Sequence, residues 1–115
     1  MDSKSRRQSA VDEHVWKEGD RVRLLNYGRH LSIWCQGCKD LHVIPVDGTR
    51  GWTWNGDRVN PTVTPSLLSD HTNDKGQVVR CHLFITNGNL VFLDDSEHEF
   101  KGQTMPLESP QQFFA

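Results

Sequence analysis

The chain lacks what would carry it across a membrane, wrap it on nucleic acid or lock it with disulfides. No run approaches the ~18 consecutive apolar residues of a membrane span. Met1 to Gln8 carry charge with no apolar stretch behind them, so no export signal is read there. Lysine and arginine total 13 against 15 aspartates and glutamates, and the net charge of −2 argues against a protein built to neutralise phosphates. Only three cysteines occur, an odd number that fits a closed disulfide framework poorly. Reduced thiols without an export signal point to the cytoplasm. Hydrophobic residues make up 35 % of the 115. One domain is the limit, and a chain this size buries only about two-thirds of its unfolded surface. Long helix-period stretches and internal repeats are absent too.

What the cysteines do form is a pattern. Cys35-Gln36-Gly37-Cys38 is a C-x-x-C knuckle, and the third, Cys81, precedes His82. Two intervening residues let the backbone turn so that both sulfurs face one ion about 3.8 Å apart, the edge of a tetrahedron with Zn–S near ~2.3 Å. Gly37 suits that turn because glycine tolerates positive φ. A redox dithiol competes, but it needs the knuckle to open a helix after a strand, whereas Leu41 to Val46 reads as a strand. The expected cofactor is Zn2+, held by Cys35, Cys38, Cys81 and His98, with His42 and His82 as rival fourth ligands. A crosslink between residues 35 and 81 closes a long loop and offsets part of what a small core lacks.

Residues 1–19 are polar and aperiodic and read as a disordered tail, with Val15 and Trp16 able to pin its end. Residues 20–108 read as a zinc-binding β domain, and 109–115 as a C-terminal tail. Alternation over 21–24 and 31–34 marks half-buried strands. Thr62-Val63-Thr64, bracketed by Pro61 and Pro65, reads as an edge strand or an extended loop, and 69–77 as a polar loop. Asn87-Gly88 is the strongest two-residue hairpin signal. It pairs Thr86 with Asn89, Ile85 with Leu90, Leu83 with Phe92 and Cys81 with Asp94. Cys81, Leu83 and Ile85 then share one face, and His82, Phe84 and Thr86 the other. His98 reaches the metal if residue 95 or 96 starts a short turn or helix. The expected fold is mainly β: a small antiparallel sheet or compact β-sandwich with a zinc knuckle and at most one short helix.

An ordered set of motifs brings a family into view. Trp34-Cys35-Gln36-Gly37-Cys38, His42, Trp54-Asn55-Gly56-Asp57, Pro61-Thr62, Thr64-Pro65-Ser66-Leu67, Cys81-His82, Thr86-Asn87-Gly88, Asp95-Ser96, His98 and Gly102-Gln103-Thr104 follow one another. Over roughly residues 30–107 the chain resembles a family of small uncharacterised zinc-binding proteins of tailed phages and prophages. Many members carry the label "ammonia monooxygenase", a mislabelling, and relatives lie near bacterial ubiquitin-like conjugation genes. The resemblance implies a phage or prophage origin and a metal site, and supplies no activity. Where members commonly have proline this chain has Gln36, which alters knuckle stiffness and removes no ligand.

Other residues read two ways. Trp52 and Trp54 share a face of an extended segment, as packing or, with Asn55, Asp57 and Arg58, as a candidate recognition surface. His82 and His42 read as core histidines, metal ligands or proton-transfer groups. Asp94 and Asp95 can orient a metal-bound histidine. His14, His30 and His71 carry no motif and default to the surface. Three functions follow. The preferred one is a non-enzymatic module with a closed, structural zinc site that binds a host or phage protein. The second is a zinc-dependent hydrolase with an open metal position and His82, Asp95 or Glu99 as general base, although H-E-x-x-H and the zinc-deaminase signature are absent. The third is a single-stranded nucleic-acid binder through Trp52, Trp54 and Arg58, disfavoured by the acidic balance.

Overall fold

The structure, a computed structural model, describes residues 19–109. The expected tails, with His14, Val15 and Trp16, lie outside the described residues apart from Gly19 and Ser109. Eight strands form two antiparallel sheets, with no helix among the described residues. β1 (Arg23–Leu25), β2 (His30–Cys35) and β3 (Asp40–Pro45) make a three-stranded meander. β4 (Thr53–Trp54), β5 (Val63–Thr72), β6 (Val78–Thr86), β7 (Asn89–Phe92) and β8 (Thr104–Pro106) make a five-stranded one in chain order.

Period-two patterning sets which face each side chain takes. Ile33 pairs with His42 and Leu31 with Ile44, and all four are buried. In β6, Cys81, Leu83 and Ile85 are buried while His82, Phe84 and Thr86 lie on the outer face. The inner faces of both sheets build one core with Val63, Leu67, Leu90, Phe92 and Leu107. Each fully buried aliphatic side chain contributes ~1.5–3 kcal/mol.

The hairpin forms in the expected register, from Thr86↔Asn89 to Leu83↔Phe92. Asn87 and Gly88 both take positive φ, 48° and 80°, as a type I′ turn requires. The pairing ends at Leu83 and Phe92, so Cys81 does not face Asp94 in a ladder. Instead the chain after β7 turns and is clipped to β6: Leu93 N–H donates to the His82 carbonyl at 2.8 Å and Glu97 N–H to the Arg80 carbonyl at 2.8 Å.

Two expectations are corrected in β5. Val63 opens a ten-residue strand flanked by β4 and β6, not an edge strand or an extended loop. Residues 69–72 extend that strand, and the turn is confined to the segment after it. Proline is tolerated in this interior strand because a bulge between Val63 and Leu67 takes residues 64–66 out of the ladder with β6. Residues 69–72 are all polar, and their exposure alternates, Asp70 and Thr72 facing water and Ser69 and His71 half-buried.

Candidate functional site

The outer face of β5 and β6 brings three side chains into a line. Ser66 Oγ lies 3.1 Å from His82 Nε2, and His82 Nδ1 lies 2.9 Å from both carboxylate oxygens of Asp95. A carboxylate only accepts, so Nδ1 carries the ring proton and Nε2 is free to accept from the Ser66 hydroxyl. That is the tautomer a serine nucleophile needs in its base. His82 stands in regular strand opposite Leu68. Ser66 sits in the bulge, which re-aims its side chain, and its carbonyl accepts the Trp52 indole N–H at 3.3 Å. Asp95 follows β7 in the clipped turn. Its neighbour Ser96 is buried, accepts the His82 N–H at 3.0 Å and donates to the His82 carbonyl at 2.8 Å. His82 is 23 % exposed and Asp95 52 %, so the line is open to solvent.

The inner face of β6 carries a different cluster. Cys35 ends β2, Cys38 lies in the following turn, His42 is on β3, and Cys81 comes from the other sheet. Their ligand atoms all lie within 4.8 Å of one another. The Cys35 and Cys81 sulfurs are 3.8 Å apart, and Cys38 Sγ is 3.6 Å from His42 Nε2. A tetrahedron with Zn–S of ~2.3 Å and Zn–N of ~2.0–2.1 Å has edges of about 3.8 and about 3.6 Å. The donor set therefore fits zinc, and its ligands come from both sheets. Hydrogen bonds from Cys38 and then Cys81 hold the Cys35 thiol far below its ordinary value. The bond to Cys35 pushes Cys38 up to about 12, and bonds to Cys35 and Cys38 push Cys81 up as well. Three sulfurs this close disfavour one another's ionisation unless a cation sits among them.

His98 lies beside this group but outside it: its Nε2 is 3.3 Å from Cys81 Sγ, and its Nδ1 accepts the Phe100 N–H at 3.2 Å. A ring nitrogen that accepts carries no proton, so the neutral ring bears its hydrogen on Nε2 and offers it to the Cys81 sulfur. Burial holds the His98 ring below its ordinary pKa and hence neutral. The ring stands edge-on to Phe92 with centroids 4.6 Å apart. Its other neighbour is Gly37, where an added Cβ would overlap Nε2 and Cε1. Gly37 is not among the residues at positive φ; Lys39 takes that conformation instead, at 56°. Gly37 thus answers a need for space, not the expected need for backbone freedom.

His82, a rival ligand by sequence, faces away from the cysteines with both ring nitrogens engaged. The candidate recognition surface is bonded within itself. The Trp54 indole donates to the Asp57 carbonyl at 3.1 Å, Asn55 Oδ1 accepts from the Asp57 and Thr62 amides, and Asp57 Oδ1 accepts from Val59 and Asn60. Arg58 lies 3.7 Å from Asp20. Glu99 is exposed, with its carbonyl accepting from Gln103. His71 corrects its surface default: its Nδ1 is buried with no hydrogen-bond partner among the described residues. Ser66 is the residue that the sequence does not mark as a candidate for chemistry. Its one signal is the Thr-Pro-Ser string inside a β-prone stretch, where a proline marks a bulge.

Compared with known proteins, residues 4–93 match the family model described as "Bacterial ubiquitination-like system serine protease (BubE)". The match includes Ser66 and His82 and stops two residues before Asp95. It accords with the resemblance to relatives near ubiquitin-like conjugation genes. No curated protein and no solved structure matches the chain.

Proposed function

The chain belongs to this BubE family, and from that premise we propose that it is a serine hydrolase that cleaves amide bonds of a protein substrate in a bacterial ubiquitination-like system. Ser66 is the nucleophile, His82 the general base and Asp95 the group that orients the imidazole. The observation that carries the reading is the continuous Ser66–His82–Asp95 line at 3.1 and 2.9 Å. In the first step the Ser66 hydroxyl proton passes to His82 Nε2 as Oγ attacks the scissile carbonyl carbon. The tetrahedral species collapses with cleavage of the C–N bond, and the imidazolium returns its proton to the departing amine. Water then attacks the acyl-Ser66 ester, giving its proton to His82, and the acid leaves as Ser66 is reprotonated. Asp95 stays ionised throughout and stabilises the imidazolium.

The zinc is structural on this reading. Cys35, Cys38, Cys81 and His42 hold it, and His98 donates to the Cys81 thiolate from outside. When bound it supplies a crosslink between the two sheets. The metal-hydrolase alternative keeps its base candidates, His82 and Asp95, but they serve a serine on the face opposite the cysteines. The discriminating experiment is p-nitrophenyl acetate hydrolysis by wild type and Ser66→Ala, with zinc content measured on both. The reading expects Ser66→Ala to keep its zinc and lose turnover. An active Ser66→Ala protein would sink it. In the same preparations, His42→Ala should lose zinc and His98→Ala should retain it; the reverse pattern overturns the ligand assignment.

A further inference from the structure

We propose that Ser96 is a positioning residue for catalysis, fixing the backbone of His82 so that its ring stays aligned between Ser66 and Asp95; the inference rests on the triad reading above. At this point β6 keeps its β5 neighbour, with Leu68 opposite His82, but the ladder with β7 ends at Leu83 and Phe92, and beyond it Leu93 N–H makes one further bond to the His82 carbonyl at 2.8 Å. The Ser96 hydroxyl supplies the acceptor that the His82 N–H no longer finds on the neighbouring strand, and shares the His82 carbonyl with Leu93 N–H. It accepts the His82 N–H at 3.0 Å and donates to the His82 carbonyl at 2.8 Å, and Ser96 is 2 % exposed. The two bonds use opposite capacities of one hydroxyl, so its proton has a single orientation.

Ser96 is also the residue after Asp95. One dipeptide therefore grips His82 twice, by the ring through Asp95 and by the backbone through Ser96. On its far side the dipeptide is anchored where Glu97 N–H donates to the Arg80 carbonyl and Glu97 Oε1 accepts the Arg80 N–H at 2.9 Å. The carboxylate and the imidazole are thereby referenced to the same short stretch of chain. Loss of the hydroxyl leaves Asp95 in place and the His82 N–H without its partner, with the His82 carbonyl held by Leu93 N–H alone, so the backbone beneath the ring can shift. Misplacement by about 1 Å from a change outside the chemistry costs on the order of 10²-fold in rate.

The test compares wild type, Ser66→Ala, Ser96→Ala and Ser96→Cys, the last keeping side-chain size while weakening both hydrogen bonds. Three quantities are read: the rate of covalent labelling by a fluorophosphonate, kcat and KM for p-nitrophenyl acetate, and zinc content with melting temperature. Ser96→Ala is expected to label and turn over ~10–100-fold more slowly, with KM within about twofold and zinc retained. Ser96→Cys should fall between it and wild type. Labelling by both variants within about twofold of wild type overturns the proposal, as does slowing that tracks loss of zinc or of fold, which would make Ser96 a purely structural residue. If Ser66→Ala itself remains active, the triad reading fails instead, and the two failures are distinct.

Discussion

One methyl group added at Gly37 should destabilise the protein without altering a metal ligand or the triad. Gly37 is not at positive φ, so alanine meets no backbone penalty there. What it meets is the His98 ring, whose Nε2 and Cε1 would be overlapped and whose Cδ2 would lie 2.7 Å away. The ring has little room to yield, being edge-on to Phe92, bonded by the Phe100 N–H and in contact with Cys81. Overpacking of this kind costs ~1–3 kcal/mol, and each hydrogen bond broken by a displaced ring adds ~0.5–1.5 kcal/mol. The expected loss is about 2–4 kcal/mol, which in a domain of this size lowers Tm by roughly 8–30 °C. The assay is thermal melting of Gly37→Ala, His98→Ala and the double variant at one fixed zinc concentration. The double variant should be less destabilised than the sum of the singles, because removing the ring removes the obstruction. A Gly37→Ala protein that melts within about 2 °C of wild type, or strictly additive losses, would refute the reasoning.

Asp95→Asn replaces an acceptor-only carboxylate with an amide whose NH2 can donate to Nδ1, so the His82 tautomer is no longer fixed and the charge is lost; the equivalent change in a Ser-His-Asp protease costs ~10⁴ in kcat, and a loss of at least ~10²-fold with zinc retained is expected here in ester hydrolysis. Stability should fall as the pH drops below about 6.5, the ordinary value for His98, because burial depresses the folded ring's pKa and the unfolded chain then binds the proton more readily. Melts between about pH 7.5 and about pH 5.5 should show that fall, with a shallower slope in His98→Asn; equal slopes would contradict it.

The sequence is most legible where local rules act alone. Asn87-Gly88 dictates a turn, and strand alternation then sends Cys81 and His82 to opposite faces, so the separation of metal side from outer side follows from the residue order alone. The proximity of His98 to Cys81 follows from the same hairpin. Its role does not, because the Phe100 amide that decides its tautomer comes from a turn no pattern specifies. His42 joins the cysteines through the pairing of Ile33 with His42, a register that depends on where β2 ends. Ser66 is the least legible residue. Its approach to His82 passes through a bulge around Pro65, and proline within a short β-prone stretch reads as an edge or a loop. A nucleophile placed by such an irregularity leaves no periodic trace, while the histidine and aspartate it serves stand out as titratable groups at a strand and its end.

The covalent adduct left by a fluorophosphonate locates the nucleophile. The zinc-loaded protein is treated with the reagent, digested, and mapped by tandem mass spectrometry. About one adduct per chain is expected, on Ser66 Oγ, with fluoride displaced and labelling abolished in Ser66→Ala. Labelling at another residue, undiminished labelling of Ser66→Ala, or an unmodified mass in folded wild-type protein would contradict that assignment.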